Sequence, residues 1–441
     1  MKRIFLYLSI FAAVLVACSD NDSFTTSRSN LLTFSTDTVK MDTVFSNIGS
    51  STYTFWVFNR SGDGIRLNSV RLRNGNQTGF RVNVDGSYLD NTLGSVATDL
   101  EVREGDSIRI FVELTAAENR QQEAQLLSDD LIFTLESGME QRVNLSCYVW
   151  DALKLKDMTI KNDTVLEYTK PVVVYGGIVV DSGAVLTLRN STLYFHDKAG
   201  ITVNGSLITE NVTLRGDRLD HMFDYLPYDR VSGLWQGVRF TSSSKYNELA
   251  DTEIRNAMTA VSLDSAAVDT TAQRLTMIRC VVHNAKGDGI VANNSFIGLY
   301  YCQLTNTMGD CLAIYGGIAD IDHCTLAQFY PFVADRGAAL RFISNTDLWL
   351  FCSNTIVTGY DNDVVMGEQG DSTKVFYYSF SDCLLRTPAI EGDTISFKRI
   401  LWETPKDSIQ GKKHFVKIDE ENLDYDFHLD SLSTAQGMGC Y

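Results

Sequence analysis

The sequence predicts an all-β chain, an N-terminal β-sandwich followed by a parallel β-helix, on three observations. Cys280, Cys302 and Cys324 recur at intervals of 22 residues, each set in the same apolar template. Residues 31–150 lack that period and carry instead runs in which apolar and polar side chains alternate. Only 5 of the 441 residues are proline, and β-branched and aromatic residues are frequent, which suits strands.

The template is read outward from each cysteine. Five and three positions before it stand Leu275 and Met277, Ile297 and Leu299, Ala319 and Ile321; two positions after it stand Val282, Leu304 and Leu326. Ten residues past the first two cysteines come Ile290 and Leu312, then Ala292 and Ile314. Each unit is therefore three short strands joined by turns. Such a unit cannot bury its own apolar residues and must stack on copies of itself. Upstream, Ser191-Thr-Leu193, Val212-Thr-Leu214 and Thr252-Glu-Ile254 fill the slot of Cys-x-apolar. Downstream, Asn354-Thr-Ile356 is expected to fill it, with Trp349 and Phe351 before it, and Cys383-Leu-Leu385 closes the series after Tyr378 and Phe380. The solenoid is expected over 151–441.

Over residues 31–150, Thr54-Phe-Trp-Val-Phe-Asn59 and Ser107-Ile-Arg-Ile-Phe-Val-Glu-Leu114 alternate as half-buried strands, with turns at Arg60-Ser-Gly-Asp-Gly64 and Arg103-Glu-Gly-Asp106. The span fits one β-sandwich.

The N-terminus reads as an export signal: Met1-Lys-Arg precedes an apolar run from Ile4 to Ala17. The run is shorter than the roughly 20 residues a membrane span needs. Leu15-Val-Ala-Cys18 resembles a bacterial lipobox, which implies a signal peptide over 1–17, lipid on Cys18, and a tether over 18–30. Ser19-Asp-Asn-Asp22 resembles the sorting sequence of Bacteroidetes-type surface lipoproteins. The resemblance implies anchoring in the outer membrane with the chain exposed at the cell surface. Tripeptides such as Asp37-Thr-Val39, Asp42-Thr-Val44 and Asp163-Thr-Val165 look like the O-glycosylation motif of the same bacteria; a strand that starts after an Asp turn produces the same letters.

A formal charge of -17 argues against nucleic acid and anionic membrane as partners, because both select a basic face. Nine cysteines in an exported chain invite a disulfide framework. The ladder cysteines, however, stand in an inward apolar column, and coils about 4.8 Å apart exceed the Cβ separation of a bridge. A packed column of thiols is the reading adopted, with bridges the alternative. Zinc is disfavoured, since no cysteine pair stands at ligand spacing from histidines.

Two family resemblances extend this reading. Phe58 to Leu72, with its Asn-Arg-Ser-Gly-Asp-Gly turn, resembles immunoglobulin-like domains of the Hydin type, more often spacers than binding modules. Val172 to Leu188, Ile201 to Leu207 and Trp235-Gln-Gly-Val-Arg-Phe240 resemble right-handed parallel β-helix surface lipoproteins, whose solenoid is like that of pectate lyases. Asp426-Phe-His-Leu429 with Ser433 to Gly439 looks like the closing segment of that group. The group mixes enzymes and binders, so the resemblance implies fold and location but no chemistry.

A polygalacturonase-like site requires paired aspartates, with family patterns of the Asn-Thr-Asp, Asp-Asp and Gly-His-Gly kind; the chain does not hold this set. Asp288 and Asp310, in Gly287-Asp-Gly289 and Gly309-Asp-Cys311, stand at equivalent points of adjacent coils. They read as solvent-exposed turns, with a bound calcium ion as the alternative, and Phe332 is expected to break the column. Arg279, Tyr301 and His323, directly before the ladder cysteines, are the candidate ligand column, with His283, Gln303 and Asp322 near it. Asp361-Asn-Asp363 is a further acidic turn, and Gly216 to Gly233 and Phe329-Tyr-Pro-Phe332 are aromatic insertions between coils. The functional expectation is a non-enzymatic surface lipoprotein without a cofactor. It would bind glycan or peptide, or dock to a TonB-dependent transporter and its lipoprotein lid. The alternative is a divergent polysaccharide lyase or glycoside hydrolase.

Overall fold

A computed structural model describes residues 23–89, 92, 94–403 and 410–441. The expected signal peptide over 1–17 and the expected lipid site at Cys18 lie outside the described residues. The chain separates into two compact units, divided between Asp151 and Ala152.

The first unit is a β-sandwich of two five-stranded sheets. One sheet orders its strands Leu32–Phe34, Tyr53–Asn59, Ser107–Leu114, Phe80–Val84 and Ser87–Tyr88, all antiparallel. The other orders them Thr38–Phe45, Glu140–Trp150, Gln125–Leu135, Ile65–Leu72 and Val96–Val102, and its first pair is parallel. Strict alternation does the sorting: Ile108, Ile110, Val112 and Leu114 face the core while Arg109 faces out. Buried Asn59 shapes the Arg60–Gly64 turn. Its Nδ2 donates to Asp63 O at 2.8 Å and Val102 O at 2.9 Å, and its Oδ1 accepts from Ser61 N at 3.0 Å. Within the span expected as a tether, Ser23 and Thr25 bond to the Gly64 backbone, and Arg66 covers the Phe24 ring at 4.1 Å.

The second unit winds into parallel coils. Every inward residue of the predicted template, from Leu275 to Leu326, is fully buried. One coil serves as the pattern. The strand Ile290–Tyr300 bends at Asn294, whose φ of 40° an asparagine tolerates, and so supplies two faces. Tyr301, also left-handed, turns the chain into the third face, Gln303–Thr305, and a loop returns it to the next coil. Registers carry the ladder slot from coil to coil as Ser191, Val212, Thr252, Cys280, Cys302, Cys324, Thr355 and Cys383. Eight described cysteines are free thiols, and all but Cys440 are buried.

Two expectations are corrected. The slot after Cys324 is held by Thr355 rather than Asn354, so Leu348, Leu350 and Cys352 point inward and Trp349 and Phe351 outward. Both Ile356 and Val357 are apolar and fully buried, so hydrophobicity could not choose between the registers; Val357 lines the interior, and Ile356 is covered from outside. Likewise the residue stacked on Asp310 is Ala338, not Phe332, because the loop around Phe329–Gly337 adds six residues to the 22-residue period.

Trp235 is fully buried, stacks on Phe195 with centroids 4.2 Å apart, and donates Nε1–H to Arg255 O at 2.8 Å. Gly237 beside it has φ 93°, and a Cβ there would lie 1.8 Å from Thr259 O, so glycine is required. The segment that looks like the group's closing segment adds no further coil. It forms an antiparallel hairpin, Phe415–Asp419 with Asp424–Leu429, that lies along the outside of the third face. There Phe415, Phe427 and Ala435 bury Ala327, Ile356 and Leu384 in a second apolar cluster.

Candidate functional site

The third face has two edges, and the predicted residues fall on both. At the edge before it, Arg279, Tyr301 and His323 form one ridge, each with left-handed φ. Tyr301 and His323 stack with centroids 4.9 Å apart at 21°, and Arg279 holds both carboxylate oxygens of Asp251 at 2.7 Å. His323 Nδ1 meets Asp322 Oδ2 at 2.8 Å. Arg279 and Tyr301 are exposed and His323 is half-buried, and each already has a partner.

At the other edge lie Asp288 and Asp310, and the expectation of a solvent-exposed turn fails for Asp310, which is 6% exposed. Arg341 Nε and Nη2 donate to Asp310 Oδ2 at 2.5 Å and Oδ1 at 3.1 Å, and Ala338 N–H donates to Oδ1 at 2.7 Å. Asp288 Oδ1 accepts the Asp310 N–H at 2.7 Å. Burial raises the Asp288 carboxyl above its usual range, and the Asp310 charge adds to this. The guanidinium of Arg341 supplies the positive charge such a pair needs. In the Asp361–Asp363 turn, buried Arg386 donates Nε–H to Asp361 O at 2.6 Å. Asn345-Thr-Asp347 and Asp129-Asp130 do occur in the sequence, but they sit in different units. Asp347 Oδ1 caps Val375 N–H at 2.9 Å, and Asp129 accepts Thr78 Oγ1 at 2.7 Å.

Between the two edges the third face carries a cleft of about 250 Å³ that the candidate list missed. Its floor consists of outward side chains on successive strands: Glu253 and Arg255, then His283, then Gln303, with Asn306 just beyond. His283 and Gln303 thus belong to strands of the third face. One wall is the 216–233 insertion. Asn256 Nδ2 donates to Asp229 O and Val231 O, both at 2.9 Å, and Asn284 Nδ2 donates to Asp229 O at 2.8 Å, which fixes the Tyr228–Arg230 turn and presents Arg230. The opposite wall is the C-terminal hairpin with Tyr425, Asp426 and His428, joined by Tyr441. His428 and Tyr441 stack at 4.0 Å, and Arg230 lies 5.8 Å from the Tyr425 ring centroid.

Glu253 Oε1 lies 3.2 Å from His283 Nε2 and 3.4 Å from Arg255 Nη1. Burial alone would raise the Glu253 carboxyl, but the His283 hydrogen bond and the Arg255 and Arg215 charges outweigh it and pull it down to about 2. Burial holds His283 below its usual range despite the Glu253 charge, so the neutral ring donates Nε2–H to the carboxylate. Asp426, hydrogen-bonded by the His428 backbone and ring, is also lowered. The cleft therefore offers a carboxylate, guanidinium and amide groups, and aromatic faces, but no carboxylic acid at neutral pH. The one signal in the sequence was charge at outward positions one and three residues past the ladder slot.

A family described as the right-handed β-helix region matches residues 150–326. No curated protein matches the chain. Among solved structures, a protein of unknown function from Porphyromonas gingivalis W83 aligns at 11% identity over 30% of this chain and 50% of that one, TM-score 0.20. A family 123 glycoside hydrolase from Clostridium perfringens aligns at 8% identity over 27% of this chain and 25% of that one, TM-score 0.19. The catalytic unit of a GH87 α-1,3-glucanase from Streptomyces thermodiastaticus strain HF3-3 aligns at 10% identity over 79% of this chain and 88% of that one, TM-score 0.22. This chain thus spans half of the first of these structures and a quarter of the second. At these scores the likenesses carry no chemistry. The family match and the coil registers agree on one point: the larger unit of this chain is a right-handed parallel β-helix.

Proposed function

We propose that this chain is a cell-surface lipoprotein, anchored through Cys18, that captures a glycan or peptide for import. The observation that carries the reading is the cleft on the third face, walled on both sides by segments added to the β-helix. A concave site lined by a few convergent polar groups and aromatic rings is the usual form of a ligand pocket. A hydrolase reading needs a carboxyl that is protonated at neutral pH and faces the ligand; Glu253 and Asp426 are both held below their ordinary range. The sandwich would act as a spacer, and a TonB-dependent transporter with its lid is the partner proposed for import.

The reading is tested with the intact protein tagged at its C-terminus and extracted from outer membranes in mild detergent. Recovery of a transporter and lid in stoichiometric amounts, together with glycan or peptide binding, is expected. Release of the protein into the periplasm with no change on Cys18→Ala would remove the anchor. Turnover of a polysaccharide into shorter products would replace capture by catalysis.

A further inference from the structure

What the cleft takes can be argued from the charges left over on its walls, and this step rests on the capture reading above. Behind the walls the charges are matched. Arg215 and Arg255 both reach Asp229, and Arg255 also reaches Glu253, so two guanidiniums meet two carboxylates. One charge of each sign remains. On the insertion wall Arg230 lies against the Tyr425 ring, and no carboxylate among the described residues pairs with it. On the hairpin wall the Asp426 side chain is 43% exposed. Its partner is His428, whose backbone N–H donates to Oδ1 at 3.0 Å and whose ring Nδ1 lies 2.7 Å from the same oxygen. No arginine or lysine among the described residues pairs with Asp426.

The two charges stand toward opposite ends of the floor. The turn that presents Arg230 is held by Asn256 and Asn284, on the coils of Arg255 and His283. Asp426 bonds to His428, which stacks on Tyr441, and Tyr441 bonds to Gln303 one coil further on. The floor strands of Arg255, His283 and Gln303 are successive coils, which at about 4.8 Å a spacing cover about 10 Å. An extended chain advances about 3.3–3.6 Å per residue, so two or three residues span that floor. A cleft of about 250 Å³, below the usual range for ligand pockets, suits a ligand of this size. A short peptide with free termini carries a carboxylate at one end and an ammonium at the other. A guanidinium binds a carboxylate through paired N–H donors, and an ammonium is stabilised by a carboxylate and by an aromatic face such as the exposed Tyr441 ring. A neutral sugar answers neither charge. A polyuronate answers one alone, and a formal charge of -17 opposes its approach.

We propose that the cleft binds a peptide of two or three residues by its termini, the carboxylate on Arg230 and the ammonium on Asp426 beside Tyr441. Equilibrium dialysis of the intact protein against a pooled library of di- and tripeptides with free termini, read by mass spectrometry, tests it. Neutral oligosaccharides and oligogalacturonate are dialysed in parallel, and a retained peptide is then titrated free, N-acetylated and C-amidated. At least one free peptide is expected to be retained, and each cap is expected to weaken it about tenfold or more, the scale of one charge-assisted hydrogen bond. This comparison uses the unmutated protein and does not depend on any variant folding. In Arg230→Gln the penalty for amidation is expected to disappear, and in Asp426→Asn the penalty for acetylation. Tyr301→Ala, on the ridge outside the cleft, is expected to change affinity less than about twofold. Equal binding of free and capped peptides, or retention of saccharides alone, overturns the proposal while capture stands. Cap penalties that persist in both cleft variants but vanish in Tyr301→Ala overturn it by moving the peptide to the ridge. Retention of neither peptide nor saccharide overturns capture itself.

Discussion

Tyr441 donates its hydroxyl to Gln303 Oε1 at 2.9 Å, joining residues 138 positions apart. With Gly439 N–H on Asn354 O at 2.8 Å and Cys440 Sγ on Thr325 Oγ1 at 3.3 Å, it stitches the C-terminal segment across three coils of the third face. One wall of the cleft therefore depends on contacts that no local sequence pattern contains.

Tyr441→Phe keeps the stack on His428 and removes only the bond to Gln303. A single net hydrogen bond contributes about 1 kcal/mol, so a small drop in urea midpoint is expected along with a several-fold loss of ligand affinity. Full affinity in this variant would show that the wall position does not matter to binding.

Acid should loosen the cleft within a defined window. Glu253 is held near 2 against an ordinary value of 4.5, so its contribution to stability is complete above about pH 4.5 and is lost as pH falls toward 2. Thermal melts across that range should show Glu253→Gln losing less stability on acidification than the parent. Parallel curves for the two proteins would remove Glu253 from the account.

The buried thiols of Cys280, Cys302 and Cys311 should be inert in the native protein. Burial raises Cys280 and Cys302 well above the usual thiol range, and Cys311 to about 12, and it is the thiolate that reacts. Maleimide labelling at pH 8 is expected to be slow at these three in buffer and to reach all eight described cysteines in guanidinium. Fewer labelled sites after denaturation without reductant would mean that bridges form.

Trp235→Ala removes a fully buried indole from its stack on Phe195 and the donor on Arg255 O. A loss of about 3–5 kcal/mol is expected from the cavity alone, read as a lower urea midpoint. Trp235→Phe should recover most of it, because the stack persists. Equal losses for both would place the effect in the hydrogen bond rather than in packing.

The inner wall was legible in the sequence because parallel coils repeat their inward residues at fixed spacing. From Leu275 to Leu326 each apolar position found its place. Legibility failed where the period broke. The 344–347 bulge in the strand Leu340–Ser353 adds three residues to its coil, and adjacent Ile356 and Val357 hid a slot that lies one residue beyond the expected one. Of the candidate site residues, Arg279, Tyr301 and His323 share one ridge, as their spacing implied, whereas Asp310 is a buried ion pair with Arg341, 31 positions away.

The sequence by itself determined the coiled architecture, the alternating sandwich strands and the inward thiol column, because each follows from short-range periodicity of apolar burial. Only the tertiary structure decided where a ligand has room. Glu253, Arg255, His283 and Gln303 are outward residues of an ordinary strand face until Arg230 from one insertion and Tyr425, His428 and Tyr441 from the C-terminal segment stand over them. Those neighbours lie tens to more than a hundred positions away, brought there by burial of Phe415 and Phe427 on the outside of the coil, and no periodicity encodes a contact made once.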